Sequence, residues 1–240
     1  MKLFSERSVQ FCKKYNHALM FLYAGFYIPM YFWLEHREFA TYHVIDTKLD
    51  HLIPFSEYFI IPYLLWFGYM AVGFIIMFFT DKKEFIKMGF VLGFGMTTAI
   101  IINYFYPTMV ILRPTVMPRD NFFTDLVIGL YKTDTSTNVF PSIHVFNAIA
   151  VFIGLYHNDK MRKHKAFMIG TFTLMILIIL STMFCKQHSV LDILGSVCLI
   201  AFIYPCVYIV PTLVKNKKPV IVWTRRPGGV LSSIIRNLLG

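Results

Sequence analysis

Apolar residues run along this chain in six long blocks, separated by short polar segments rather than alternating with them. A hydrocarbon core of about 30 Å needs roughly 20 mostly apolar residues in helical form, so blocks of this length predict membrane-spanning helices. They fall at 18–34, 59–79, 85–106, 141–156, 166–184 and 190–214. The expected fold is therefore all-α, an integral membrane bundle of six transmembrane helices. No small-residue cleavage site follows the first block, so it reads as a retained span and not as a cleaved signal peptide. With both termini cytoplasmic, 17 Lys and Arg residues fall on the inner side and six on the outer, which satisfies the positive-inside rule.

This orientation places three segments outside: a first loop around 35–57, a long one over 107–140, and the short stretch Cys185-Lys186-Gln187-His188-Ser189. In the long loop, Phe122, Phe123, Leu126, Val127 and Leu130 recur at helical spacing. They predict an amphipathic helix, either at the lipid interface or packed over the bundle. Val230, Leu231, Ile234, Ile235, Leu238 and Leu239 repeat similarly behind basic residues, as an inner-leaflet anchor or a frayed tail. The chain reads as one membrane domain over 1–240, with a basic cytoplasmic tail at 215–240 and no internal repeat.

Composition supports the membrane reading. Hydrophobic residues make up 57% of the chain and charged residues only 15%, beyond the roughly 45–50% apolar content of soluble domains. The net charge of +10 sits in short clusters between apolar blocks, a topology signal with no call for a nucleic-acid partner. Four cysteines lack metal or redox spacing and read as packing residues.

Three polar clusters share the outer side. Arg113 and Arg119 are cations of the long loop, Ser142 and His144 open the fourth span, and His188 and Asp192 open the sixth. Residues four apart share a helix face, so Asp192 can accept a hydrogen bond from the His188 ring N–H and fix its tautomer. A neutral imidazole held this way is a competent nucleophile toward phosphorus. His144, entering from another helix, can hand a proton to a departing alkoxide, and the Arg113 fork matches two phosphate oxygens. Pro141 suits a first helical turn, whose free N–H groups and Ser142 hydroxyl face an anion. These are the parts of a phosphoryl-transfer site that needs no metal and no cofactor.

Arg113-Pro114, then Pro141-Ser142-Ile143-His144, then Ser181-Thr182-x5-His188-x3-Asp192 resemble the pattern of the type 2 phosphatidic acid phosphatase superfamily, which also contains vanadium haloperoxidases. The gaps of 26 and 36 residues between motifs fit as well. The resemblance implies a six-helix membrane bundle and a lipid phosphate substrate. It makes His188 the nucleophile, His144 the general acid, Asp192 the orienter, and Arg113 and Ser142 phosphate ligands. Three positions depart from the pattern: Tyr106 replaces the first motif's Lys, Ile143 a Gly, and Thr182 an Arg. The bulky third residue of Pro-Ser-Ile-His and the Ser-Thr pair resemble the branch that contains inositol phosphorylceramide synthases. Lys186 and Arg119 are candidates to replace the missing cations. Ser181 and Thr182 are expected to bond within their helix, and Asn103 to bond between helices.

The expected activity is hydrolysis of a phosphate ester or diphosphate on a membrane lipid, at the extracytoplasmic face of the cell membrane. Headgroup transfer to an alcohol is the alternative, and a non-catalytic membrane protein retaining the motif is the third.

Overall fold

A computed structural model describes residues 10, 13–39 and 41–212. The inner-leaflet anchor and basic tail expected beyond 214 lie outside the described residues, as do the two chain ends.

The described chain is a helix bundle. Its long helices are α1 (Leu22–Glu35), entered through a 3-10 turn at Asn16–Phe21, α3 (Ile60–Thr80), α4 (Lys82–Phe105), α6 (Ile143–His157), α8 (Lys165–Phe184) and α9 (Val190–Tyr204). Short helices α2 (Lys48–Leu52), α5 (Phe122–Thr133) and α7 (Asp159–Arg162) lie in the connections. Among the described residues, five stretches are long and apolar enough to cross a membrane: Lys13–Glu35, Glu57–Thr80, Lys82–Phe105, Lys165–Phe184 and Val190–Thr212. The fourth expected span, α6, has only 15 residues, a rise of about 22 Å against a core of about 30 Å. Its position explains the shortness. Nine of its 15 residues are buried, and α3, α4, α8 and α9 all pack against it, so α6 is the central helix and ends inside the surround that its neighbours make.

All-round apolar helices have no oily face to drive them together in lipid, so close packing through small residues holds them. Gly95 on α4 faces the Phe146 ring of α6 so closely that a Cβ there would lie 2.0 Å from the ring. Phe85, Met88, Val151, Leu155 and Ile178 fill the core around this contact.

Loops cover one end of the bundle. Two-residue strands β1 (His43–Val44) and β2 (Thr108–Met109) pair in parallel, and Met109 bridges to Thr137. This small sheet is an addition to the all-α expectation. Helix α5 forms where the periodicity predicts it, capped by the Asn121 side chain. Its Val127 joins Ile60, Tyr63 and Cys185 in a second apolar cluster, so α5 packs over the bundle.

Candidate active site

The short polar stretch between the last two long helices folds as a helix stop and a helix start in succession. Lys186 takes φ 55, while its N–H bonds to Met183 O and the Gln187 N–H to Thr182 O. Such a left-handed residue with paired reverse bonds ends helices and usually falls to glycine. Lys186 holds the conformation through its side chain, which donates to Asp50 O at 2.7 Å and to Ile53 O. Helix α9 then opens with a capping box. The Ser189 hydroxyl receives the Leu191 N–H at 3.2 Å, and Asp192 Oδ2 receives the Ser189 N–H at 2.9 Å.

The same Asp192 oxygen lies 3.2 Å from His188 Nδ1. An ionised carboxylate only accepts, so Nδ1 carries the proton and Nε2 the lone pair. Asp192 is wholly buried and His188 nearly so. Behind them stands Asp50 of α2, which accepts from the Ser189 hydroxyl at 2.6 Å and the Val190 N–H at 2.8 Å. Burial raises the Asp50 pKa, but the hydrogen bonds from Ser189, Val190 and Thr47 outweigh it and hold the carboxyl below its ordinary value. Burial pulls the Lys186 ammonium below its own, against the pull of the Asp50 and Asp46 carboxylates.

His144 arrives from α6. Ser142 caps that helix through its hydroxyl, which receives the Val145 N–H at 3.4 Å. The approach is pinned on both sides. Asn103 donates to Phe140 O at 2.6 Å, Ser196 donates to Ser142 O at 2.8 Å, and Gly195 leaves room for the Phe140 ring, which a Cβ would meet at 2.5 Å. Trp66 donates to His144 O at 3.2 Å, and the Tyr63 and Trp66 rings flank the imidazole at 4.9 and 4.7 Å. The His144 and His188 rings lie 5.7 Å apart, centre to centre.

Both histidines line one narrow cleft, with Tyr31, Glu35, Asp134, Asn138 and Gln187 among its other walls. Arg113 stands one layer back. Its guanidinium donates to Gln187 Oε1 at 2.6 Å and Asp134 O at 2.7 Å and lies over the Tyr131 ring, and burial lowers its pKa. Ser142 is wholly buried in its cap and does not line the cleft. Lys186 is engaged by the α2 segment. Arg119 forks onto Glu57 at 2.6 and 2.8 Å, and its pKa is raised by that partner. Neither cation lines the cleft. Tyr106, where the motif has Lys, stacks on His43 at 3.7 Å. Ser181 and Thr182 bond back to Ile178 O and Ile179 O.

The structure thus brings His188, Asp192 and His144 together, keeps Arg113 adjacent, and turns Ser142, Lys186 and Arg119 to other partners. Asp50, Asp134, Glu35 and Asn138 carry no motif that marks them in the sequence, and Gln187 is marked only as the neighbour of His188.

A family model described as the PAP2 superfamily matches residues 65–215, more than half of the chain and all three motifs. The chain belongs to the PAP2 superfamily. No curated protein and no solved structure matches it. PAP2 membership supports a lipid phosphatase-like function and, at the level of reaction class, hydrolysis of a phosphoric ester. The long apolar helices make this PAP2 protein a membrane protein.

Proposed function

We propose that this PAP2 protein cleaves a phosphate ester or diphosphate on a membrane lipid through a phosphohistidine, without a metal. One observation carries the reading: His188, with Nδ1 on buried Asp192, and His144 share one cleft at a ring separation of 5.7 Å. His188 Nε2 attacks phosphorus while Asp192 supports the positive charge growing on the ring. The bond from phosphorus to the lipid oxygen breaks, and His144 gives that oxygen a proton. Water, losing its proton to His144, then displaces His188. Arg113 backs the developing charge through Gln187, which it orients. A cleft at the loop-covered end suits a lipid whose tails stay in the bilayer, and the distribution of Lys and Arg favours the outer face for that end.

The test is turnover in chelator. Purified protein receives phosphatidic acid, phosphatidylglycerophosphate and an isoprenyl diphosphate, beside His188→Ala. Product release that His188→Ala lowers at least about 10³-fold is expected. Release that survives the substitution contradicts the reading.

A further inference from the structure

Resting on that reading, we infer that the lipid ester cleaved here is a zwitterionic phosphodiester whose headgroup carries an ammonium, recognised by Glu35 and Asp134 in the cleft of the histidines. His144, His188, Gln187, Glu35, Asp134 and Asn138 all line that cleft. Among the described residues, Gln187 Nε2 and Asn138 Oδ1 are buried without a partner, while Gln187 Oε1 is taken by Arg113. The carboxylates are held in place. Thr135 donates to Glu35 through both its hydroxyl and its N–H, and Tyr63 donates to Asp134 Oδ2 at 2.6 Å.

Among the described residues, no Lys or Arg side chain lines this cleft. A phosphate monoester dianion would therefore meet two carboxylates, with the Arg113 guanidinium held behind Gln187, and like charges set side by side are rejected. A phosphodiester brings one negative charge, and an ammonium on the same headgroup supplies the cation and donors that the Glu35 and Asp134 carboxylates accept.

The chemistry balances. His188 Nε2 bonds to phosphorus as the phosphorus–oxygen bond to diacylglycerol breaks, and His144 protonates the departing oxygen. The headgroup phosphate remains on His188 as a phosphoramidate. Water then bonds to phosphorus, one of its protons goes to His144, and the nitrogen–phosphorus bond breaks to release the phosphate monoester of the amino alcohol. Nothing is oxidised or reduced.

The experiment offers full-length protein, in nanodiscs with chelator, three lipids with identical tails: phosphatidylethanolamine, phosphatidic acid and phosphatidylglycerol. Diacylglycerol release is read for wild type and Glu35→Gln. A preference for phosphatidylethanolamine of at least about tenfold in kcat/KM, reduced about tenfold by Glu35→Gln, is expected. As a second readout independent of turnover, phosphoethanolamine should protect His188 from an imidazole-modifying reagent at lower concentration than inorganic phosphate. Preference for phosphatidic acid with a ratio unmoved by Glu35→Gln overturns this inference and leaves the phosphohistidine reading standing. Preference for phosphatidylglycerol assigns the Glu35 and Asp134 carboxylates to hydroxyls and overturns the ammonium. No diacylglycerol from any lipid, with no protection by either anion, overturns this inference, and overturns the phosphohistidine reading as well when an isoprenyl diphosphate is not cleaved either.

Discussion

Asp192 does two jobs with one oxygen: it closes the capping box on the Ser189 N–H and accepts the hydrogen bond of the His188 Nδ1–H. Its other oxygen, Oδ1, is buried without a partner among the described residues, so an amide there finds no acceptor among them for its own protons. Asp192→Asn is expected to leave the helix start in place, since one oxygen still caps, while the ring loses its carboxylate support. The expected cost is a fall in kcat of about 10² to 10⁴-fold with little change in KM. Steady-state kinetics beside circular dichroism checks it: a fall in kcat with unchanged helix content is the expected pair. The motif residues were legible because they repeat a short ordered pattern. Lys186 was not, since its ordinary reading as a cation gave no hint that a left-handed φ would send its ammonium to Asp50 O and Ile53 O. Arg119 was equally opaque, because nothing local announces a partner 62 positions away at Glu57.

At the scale of elements, α2 acts on the site through α9. Asp50 takes the Ser189 hydroxyl and the Val190 N–H while capping its own helix with Thr47. It is 2% exposed, and removing its charge leaves those donors weaker partners. Asp50→Asn should destabilise the protein by about 2 kcal/mol and lower kcat, since the Ser189 backbone positions Asp192. The sign with pH follows from the shift. The folded carboxyl titrates below its ordinary value, so its stabilisation is complete above about pH 4 and fades as pH falls through the folded value. Thermal melts of wild type and Asp50→Asn should therefore differ at neutral pH and converge on acidification. A gap that widens toward acid would contradict the assignment. The sequence made the long helices legible by their apolar length. It did not make α2 legible, because five residues in a polar loop carry no periodicity, and its role exists only through a contact 139 positions along the chain. The α5 helix was legible, but which surface it covers depended on Val127 meeting Ile60, Tyr63 and Cys185.

For the molecule as a whole, six apolar blocks anticipated six spans, whereas five stretches of the described residues are long and apolar enough to cross a membrane and the fourth block forms the 15-residue central helix α6, enclosed by its neighbours. Sidedness belongs to this scale. With the loop-covered end outward, a cysteine at exposed position 133 should react with an impermeant maleimide in right-side-out vesicles, and one at exposed position 163 only after permeabilisation. The reverse pattern would place the cleft on the cytoplasmic face. The central claim, that His188 and His144 divide one phosphoryl transfer between them, is met most directly by trapping the intermediate. Protein quenched in base during turnover of a lipid labelled at phosphorus should carry the label on the peptide containing His188. His144→Ala should change the level of that label, and His188→Ala should remove it. Label on any other residue, or turnover by wild type with no label at His188, would contradict the account.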